Sequence, residues 1–327
     1  MMKSLYYNFD TNYRKNKNFH ILGIDEAGRG PLAGPVVAAG VILNPDFDHI
    51  EIKDSKKLSE YKRNKLYKII KKNALKVIVE ISWEEEIDEK NILEATIDCF
   101  KRIIDNVKNI PNTILIDGTK VPIHGRNIKF IKKGDSKSLS IASASIIAKV
   151  TRDNIMKQFD YIFPNYDFKN NKGYGTRKHF EAIKLYGSSP IHRKSFKPVL
   201  DFLIPITNLT KRDLDCLGKK YAAISIVKNG FEIKEMNYNK PNIGQIDIIH
   251  LENNKLVFSI VNIILNQNSN ENSKNFISFK KAKKTMNVSR MYLSEKGFVE
   301  NVRFDVISVC FSDANPSISR IKNGISF

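Results

Sequence analysis

Four carboxylates end or follow short apolar runs in the N-terminal half of the chain. Asp25 and Glu26 come after "FHILGI", Asp117 ends "NTILID", and Asp135 lies just beyond "NIKFIKK". Because site residues of α/β proteins gather at strand ends, these four side chains can converge. Carboxylate oxygens suit hard cations such as Mg²⁺ or Mn²⁺, and they repel one another unless a cation neutralises them. Two such ions hydrolyse a phosphodiester by activating water and stabilising the leaving oxygen, so the pattern predicts a nuclease site.

The four acids also have an interpretation without chemistry. A single acid at the end of a strand is usually a turn or helix cap. Neighbours in a regular strand point to opposite faces, so Asp25 and Glu26 share a site only if the strand ends or twists there. Gly28 and Gly30 make this possible, because glycine adopts backbone conformations closed to other residues and lets a ligand approach the main chain. The residues alone therefore leave a metal site and a set of caps both open.

The composition predicts a globular protein with a polyanionic partner. The 327 residues are 42% hydrophobic and 27% charged, and the formal net charge is +19. Such a charge favours nucleic acid as the partner. The apolar runs are too short to span a membrane and the polar start lacks a signal-peptide hydrophobic region, so we expect a cytoplasmic protein without membrane contact. Cys99, Cys216 and Cys310 are too far apart for a disulfide framework and are predicted to be small core residues.

Strand-like and helical patterns alternate through the first two-thirds of the chain, which predicts an α/β fold. Apolar, β-rich runs predict strands in "FHILGID", "PVVAAGVIL", "ALKVIVEIS", "NTILID" and "NIKFIKK". Apolar residues at helical spacing predict helices in "LSEYKRNKLYKIIKK", "DEKNILEATIDCFKRIIDNV", "SIASASIIAKVTRDNIMKQFD" and "RKHFEAIKLYG". The runs that carry the four acids therefore belong to one predicted sheet.

The chain is long enough for two domains. After "FKPVLDFLIPITN" Asn becomes frequent, "NQNSNENSKN" is a low-complexity polar loop, and a helix-then-strands pattern begins at "LTKRDLDCLGKKYAAISIVKNG". We therefore predict a boundary near residue 205, with a first domain over 18–205 and a second, smaller α/β domain over 206–327. Residues 1–17 are polar and are predicted to be a disordered extension.

Several long motifs carry a family resemblance: "GIDEAGRGPLAGPVVAAGVIL", "DSKKLS", "ILIDG", "KGDSKSLSIASASIIAKVTRD" and "YGSSPIHRKSFKPV". Together they resemble bacterial ribonuclease HII, the type 2 ribonuclease H, over residues 18–203. The resemblance implies a mixed five-stranded sheet flanked by helices, with Asp25, Glu26, Asp117 and Asp135 as the metal-binding and catalytic acids. It also implies cleavage of the RNA strand of RNA/DNA hybrids, and cleavage 5′ of single ribonucleotides embedded in duplex DNA, giving 3′-hydroxyl and 5′-phosphate ends.

The resemblance also implies how RNA is told from DNA, which requires sensing a 2′-hydroxyl. In the family, the segment matching Gly28, Arg29 and Gly30 does this, largely through main-chain groups beside the scissile phosphate. Tyr174 in "NKGYGTRKH" matches a family tyrosine that stacks on a sugar at the RNA-to-DNA junction. These four residues are therefore candidate substrate contacts.

Further candidates are phosphate contacts, which position a duplex without reading its sequence. Lys56 and Arg29 are such candidates, whereas the neighbouring Lys57 is better explained as a solvated surface lysine. Ser136 and Ser138 precede the predicted small-residue helix, whose N-terminal amides are able to bind phosphate. The "SIASAS" run that follows is better explained by close helix packing.

Three other residues are predicted to be structural. Asp153 in "KVTRD" lies five turns along the predicted helix from Asp135, so we interpret it as an internal salt-bridge partner and not as a fifth ligand. His179 and His192 do not have metal-ligand spacing, and we interpret both as structural or peripheral.

Residues 207–312 resemble a second family, the YraN-like proteins with their restriction-endonuclease-like fold. That family has Gly-Glu-Ile-Asp where this chain has Gly244–Asp247, with Gln245 in place of Glu, and it has Glu-Val-Lys where this chain has Ile260–Asn262. Of the four implied metal or catalytic groups only Asp247 remains. Because such a site cannot easily hold a metal or activate water, we predict that this domain is not a nuclease.

The second domain keeps a basic segment, "SFKKAKKTMNVSR", which places Lys281, Lys283, Lys284 and Arg290 near one helix face. This face either follows a phosphate backbone or serves as a solubilising surface. Two alternative functions remain for the whole chain. One is a non-catalytic hybrid-binding protein whose acids are caps, and the other is an additional DNA endonuclease in the second domain that uses Asp247.

Overall fold

The structure is a computed structural model that describes residues 3–14, 16, 19–107, 111–125, 127–204, 209–264, 278–297, 301–311 and 316–325. The chain divides into two compact units. The first unit contains Met1–Met156, Asn171–Ile183 and Ile191–Phe202; the second contains Lys157–Asn170, Lys184–Pro190 and Leu203–Phe327. The predicted boundary near residue 205 lies outside the described residues. Two short segments before it group with the second unit, which the sequence did not indicate.

The first unit is built on a mixed five-stranded sheet in the order β3-β2-β1-β4-β5. Its strands are β1 (Ile21–Ala27), β2 (Val36–Leu43), β3 (Ala74–Ser82), β4 (Thr113–Asp117) and β5 (Ile128–Ile131). Strand β2 pairs antiparallel with both β1 and β3. Strand β4 pairs parallel with both β1 and β5. The predicted strands and the mixed five-stranded sheet are therefore confirmed.

Eight α-helices begin before residue 203 in the described chain: α1 (Leu5–Thr11), α2 (Glu60–Asn73), α3 (Glu84–Lys90), α4 (Ile92–Asp105), α5 (Leu139–Ile162), α6 (Phe168–Asn171), α7 (Arg177–Tyr186) and α8 (Lys197–Leu200). The helical pattern over "DEKNILEATIDCFKRIIDNV" forms two helices, α3 and α4. Asn91 separates them because it adopts φ +78° and its side chain accepts the N–H groups of Leu93 and Glu94, which caps α4.

The helices cover both faces of this sheet. Buried side chains of α2 and α5 pack on β2 on one face, whereas α4 packs on β1, β2 and β4 on the other. Helix α5 lies so close to β1 that a Cβ at Gly23 would stand 2.2 Å from the Ser140 carbonyl carbon. The small, buried residues of "SIASAS" permit this approach, which confirms the packing interpretation of that run.

The N-terminal extension is not disordered in its described part, contrary to our expectation. Residues 5–11 form α1, and Asp10 is fully buried. Its carboxylate accepts hydrogen bonds from the Ser138 hydroxyl at 2.5 Å, the Ser140 hydroxyl at 2.7 Å and the Ser140 N–H at 2.9 Å. Asp10 therefore caps the start of α5, so the predicted phosphate-binding role of Ser138 is wrong.

The second unit contains another five-stranded sheet, in the order β10-β9-β8-β7-β6. Its strands are β6 (Glu232–Lys240), β7 (Gly244–Glu252), β8 (Lys255–Ile264), β9 (Val302–Cys310) and β10 (Ser317–Ile321). Only β8 and β9 are parallel among these neighbours. Helices α9 (Lys211–Lys228) and α10 (Phe279–Lys296) pack on this sheet. The prediction of a smaller second α/β domain is confirmed, and the "NQNSNENSKN" loop lies outside the described residues.

Two predictions from composition can be compared with the structure. In the part of the chain that the structure describes, no helix combines the length and apolar character needed to cross a membrane. Cys99 is buried and Cys310 is half-buried, but Cys216 is exposed on α9. The prediction that all three cysteines are core residues is therefore wrong for Cys216.

Candidate metal and nucleic-acid site

The first three predicted acids meet where two parallel strands separate. Pairing of β1 with β4 ends at Ile24 and Ile116, whereas β1 continues to pair with β2 as far as Ala27. Strand β1 therefore continues past Asp25 and Glu26. The first of our two conditions for a shared site, that the strand ends at this pair, is not met. Instead, β4 ends at Asp117, and the opening beside it lets the two adjacent acids of β1 interact with this third carboxylate.

The fourth acid, Asp135, is not at the end of a strand. Strand β5 ends at Ile131, and Asp135 lies in the short 3₁₀ helix Gly134–Ser136. The Gly134 N–H donates a hydrogen bond of 2.6 Å to Asp117 Oδ1, which fixes this turn beside the end of β4. The turn thereby brings Asp135 close enough to repel Asp117.

Burial and repulsion raise the pKa values of Asp25, Glu26 and Asp135. Burial raises the pKa of Asp25 well above its ordinary value, and the charges of Glu26 and Asp117 add to the shift. Burial also raises the pKa of Glu26 against the attraction of Arg29, and it raises the pKa of Asp135 together with repulsion from Asp117. The ionised cluster is therefore unfavourable without a cation.

Two basic side chains lie beside the acids but do not neutralise Asp25. Arg29 Nη1 stands 3.4 Å from Glu26 Oε1, and Lys56 Nζ stands 3.9 Å from Asp135 Oδ2. Lys56 is 82% exposed, so its ammonium group remains available to a ligand. Ser136 Oγ donates to Asp135 at 3.4 Å, which is a weak contact.

The donor set fits a hard divalent cation. All four side chains offer only carboxylate oxygens, the ligands that Mg²⁺ and Mn²⁺ prefer. Asp25 is 5% exposed, and its polar contacts are the Glu26 N–H and Ser145, neither of which is a cation. A buried carboxylate with like charges around it and no cation of its own is what a metal site requires.

A tighter group of ligand-type side chains lies in the second unit but does not need a metal. Ligand atoms of His250, Glu252 and Asp305 lie within 4.8 Å of one another. Arg303 donates to both acids, and Arg320 donates to all three residues. Burial, together with the Arg320 charge, lowers the pKa of His250 to about 3. Guanidinium groups thus occupy the cluster, which is a buried ion network.

One buried arginine, Arg193, sets the direction of the Gly28–Gly30 backbone. Arg193 donates to the carbonyl oxygens of Gly28, Arg29 and Gly34 at 2.5, 2.8 and 3.0 Å. In a trans peptide the N–H points away from the preceding carbonyl, so the N–H groups of Arg29 and Gly30 face away from Arg193. Neither N–H donates a hydrogen bond within the described part of the chain. Gly28 adopts φ +99°, which other residues rarely adopt.

Tyr174 lies over this backbone. A Cβ at Gly30 would stand 3.7 Å from the Tyr174 ring, and the ring is 44% exposed. Leu32 donates its N–H to the Gly173 carbonyl at 2.8 Å, which joins the two loops. The structure thus brings together Gly30 and the predicted stacking residue.

The histidines and Asp153 have the structural surroundings that we predicted. His179 Nε2 and His192 Nε2 are 3.0 Å apart in a fully buried pair, and His179 Nδ1 contacts the Tyr174 carbonyl at 2.9 Å. Asp153 pairs with Lys149 at 2.8 Å and with Arg63 at 3.8 Å. The interpretation of Asp153 as a salt-bridge partner is confirmed.

Several residues of the site were missed from the sequence. Ser145 hydrogen-bonds Asp25, the buried Asp54 repels Asp135, and Arg152 donates to the carbonyls of Pro35, Ala33 and Lys172. Arg193 was likewise missed. Neither "AKVTRD" nor "IHRKSF" marks its arginine as buried, because each segment contains other charged and polar residues.

In the second unit, the retained Asp247 is held by lysines. Its carboxylate accepts the Val261 N–H at 2.9 Å and lies 3.1 Å from Lys219 Nζ and 3.7 Å from Lys281 Nζ. Lys281 also donates to the Val261 carbonyl at 3.1 Å. Two ammonium groups therefore neutralise the acid, which disfavours the alternative of a metal-dependent nuclease here.

Comparisons with known proteins agree with this division. Residues 22–199 match the family model described as ribonuclease HII, and residues 218–309 match the one described as uncharacterised protein family UPF0102, which is the YraN-like family. Ribonuclease HII of Clostridioides difficile (strain 630) is 54% identical over 177 residues, covering 54% of this chain and 69% of that protein. Ribonuclease HII of Acholeplasma laidlawii (strain PG-8A) is 53% identical over 184 residues, covering 56% and 90%. The crystal structure of ribonuclease H2 from Pyrococcus horikoshii OT3 aligns with 25% identity and a TM-score of 0.48, covering 56% of this chain and 97% of that one.

Proposed function

Because the chain belongs to the ribonuclease HII family, we propose that it is an endoribonuclease that cleaves the RNA strand of RNA/DNA hybrids. It also cuts 5′ of single ribonucleotides embedded in duplex DNA, and it leaves 3′-hydroxyl and 5′-phosphate ends. The observation that carries this proposal is the convergence of four carboxylates where β1 and β4 separate, three of them on these strands and Asp135 in the 3₁₀ helix beside them. The catalytic domain covers residues 18–205, with the second domain over 206–327, and the protein acts in the cytoplasm.

In this proposal Asp25, Glu26, Asp117 and Asp135 hold two divalent ions, Mg²⁺ or Mn²⁺. Bound ions of this kind activate water and stabilise the leaving oxygen of a phosphodiester. The protein contributes fixed ligand positions: the Glu26 N–H and Ser145 orient Asp25, and the Gly134 N–H orients Asp117. The raised pKa values of the two buried acids support a site whose charge is balanced on binding a cation.

Recognition of the ribose falls to the backbone of Arg29 and Gly30. Their N–H groups face away from Arg193, and they are able to donate to a 2′-hydroxyl, which accepts as well as donates hydrogen bonds. Tyr174 packs on the neighbouring sugar from above Gly30. Lys56, Arg29 and Ser136 contact phosphates around the cleavage position.

A cleavage assay on three end-labelled duplexes tests this proposal. The substrates are a DNA duplex with one ribonucleotide, the same duplex with a deoxyribonucleotide at that position, and a continuous RNA/DNA hybrid. With Mg²⁺ or Mn²⁺ we expect a single cut 5′ of the ribonucleotide and cuts along the hybrid, and polymerase extension should detect the 3′-hydroxyl end.

The all-DNA duplex and an EDTA reaction are the matched controls, and both should remain uncut. Binding without cleavage of any duplex would instead support the non-catalytic hybrid-binding protein. Cutting of the all-DNA duplex would overturn the proposed discrimination at the 2′-hydroxyl.

A further inference from the structure

Helix α10 presents an outward stripe of basic residues in the second unit. Its exposed positions follow helical spacing and include Lys280, Lys283, Lys284, Asn287 and Arg290. Ten residues separate the first from the last, so the stripe is about 15 Å long at a rise of about 1.5 Å per residue. One strand of a duplex carries a phosphate about every 3.4 Å, so a stripe of this length faces several phosphates at once.

The positive charge of this stripe is not neutralised within the protein. Among the residues that the structure describes, Lys280, Lys283, Lys284 and Arg290 form no ion pair. The sequence of α10 contains a single acid, Glu295, and this acid already accepts from Tyr238 at 2.8 Å and from Lys240. Unpaired charges of one sign along one face attract a polyanion.

The acid nearest the start of the helix does not oppose this attraction. Asp247 is 5% exposed and is paired with Lys219 and Lys281, and Lys219 also pairs with Asp215 at 2.9 Å. The Lys281 side chain is 48% exposed, and it extends the basic surface to the edge of this pair. The acid at the position that would hold a metal in an active nuclease is thus already paired with ammonium groups in this chain, so it does not repel a phosphate backbone.

The buried face of α10 distinguishes between two possible polyanionic partners, an anionic membrane surface and a nucleic acid. A helix that binds a bilayer surface inserts its apolar side chains into the lipid. Here Val288 and Tyr292 pack in the core with Phe258 and Phe304, so the apolar face is not available for insertion. A nucleic-acid backbone requires only the charged face.

We propose that the α10 stripe binds the sugar–phosphate backbone of a nucleic-acid duplex without reading its sequence and without cutting it. The inference rests on the proposed function only for the choice of nucleic acid over an acidic protein. It gives the second unit a role in holding the duplex that the first unit cleaves.

Duplex binding by the full chain tests this inference. Binding of a fluorescent all-DNA duplex is measured in EDTA over a range of salt concentrations, so neither metal nor a ribonucleotide is needed. We expect the triple change Lys280→Gln, Lys283→Gln and Lys284→Gln to weaken binding about tenfold and to reduce the slope of log affinity against log salt by about 2 to 3. A thermal melt of each variant verifies folding.

The control is the triple change Lys211→Gln, Arg212→Gln and Lys255→Gln, which removes the same charge from exposed positions of the same unit. If the position of the charges on α10 determines binding, and not the net charge of the protein alone, this control should change the affinity for the duplex less than about twofold. Equal weakening by both triples, or by neither, would overturn the proposal. Binding to poly-glutamate is measured for the same variants. If the stripe variant binds the duplex normally but no longer binds poly-glutamate, the partner is an acidic protein and the proposal is overturned. Since the all-DNA duplex is not a substrate, a failure of cleavage leaves this test unaffected.

Discussion

Asp25 is a buried carboxylate whose pKa is raised by burial and by the charges of two other carboxylates, Glu26 and Asp117. Asp153 is equally buried, but Lys149 and Arg63 pair with it. The two residues therefore show opposite solutions to burying a charge. Asp153 is neutralised by the protein, whereas Asp25 needs a bound cation.

The contrast predicts opposite effects of the same substitution. Asp25→Asn removes repulsion, so it should raise the Tm of the EDTA-treated protein by about 2–4 °C, the shift that about 1 kcal/mol produces in a domain of this size. It should also abolish metal-dependent cleavage. Asp153→Asn leaves two half-buried cations, Lys149 and Arg63, with a weaker partner and should lower the Tm. Thermal melts in EDTA measure both changes, and a lower Tm for Asp25→Asn would contradict the electrostatic account.

Tyr174 supplies a second prediction for a single residue. A base stacked on an aromatic ring contributes about 1–3 kcal/mol, and on this scale for the sugar we expect Tyr174→Ala to reduce cleavage at a single ribonucleotide about 5- to 150-fold. Tyr174→Phe keeps the ring and should retain most of the rate if stacking dominates. Because the side chain is 44% exposed, the Tm of both variants should stay near that of the wild type. Equal rates for wild type and Tyr174→Ala would remove Tyr174 from the proposed substrate contacts.

Helix α1 is part of the folded first unit because Asp10 caps α5. Asp10→Ala would leave the Ser140 N–H and two buried hydroxyl groups without their acceptor, at about 1–3 kcal/mol for each unsatisfied group. We expect a clear fall in Tm and faster amide exchange at the start of α5. Asn8→Ala on the exposed side of the same helix should change neither quantity. Unchanged stability of Asp10→Ala would mean that the capping contact is not maintained in solution.

The histidine pair gives α7 a pH dependence. Burial lowers the pKa of His179 from its ordinary value of 6.5, so the unfolded chain takes up the proton first as pH falls. Stability from this pair is therefore complete above about pH 6.5 and is lost as the pH decreases below it. We expect the Tm to fall between about pH 7 and pH 5, and to fall less in His179→Gln, which removes the titrating group. An equal decrease in both proteins would exclude His179 as the cause.

The elements were predictable where apolar runs and helical spacing determine them. Strands β1 to β4 and helix α5 lie close to the predicted runs, because each buries a continuous apolar or small-residue surface. The break at Asn91 was not predicted, since a left-handed residue leaves little trace in apolar spacing. The role of Asp10 was also not predictable, because its partners lie 128 and 130 residues further along the chain.

The site was predictable in its acids and less so in what supports them. Acidic residues after apolar runs indicated the four carboxylates, which the structure brings close together, but the residues alone left a metal site and a set of caps both open. Arg193 and Arg152, in contrast, hold the backbone through carbonyl groups, which every residue carries, so sequence spacing does not reveal their acceptors. The placement of Asp135 in a turn and not at a strand end has the same origin, because the Gly134 N–H selects Asp117 only in the folded chain.

At the scale of the whole molecule, each unit contains a carboxylate at a position that a nuclease would use, but the two carboxylates have different surroundings. Asp117 interacts with other acids and a backbone N–H, whereas Asp247 is paired with Lys219 and Lys281. A metal-dependent reaction can use the first environment and not the second. We therefore expect all cleavage to take place in the first unit.

One measurement tests this assignment most directly. It is the initial rate at which full-length Asp117→Asn and Asp247→Asn, compared side by side with Mn²⁺, cleave a duplex with one ribonucleotide. We predict that Asp117→Asn loses at least about a hundredfold in rate, which corresponds to about 2.7 kcal/mol of transition-state stabilisation, while Asp247→Asn stays within about twofold of the wild type. A large loss in Asp247→Asn, or an unchanged rate in Asp117→Asn, would contradict the account.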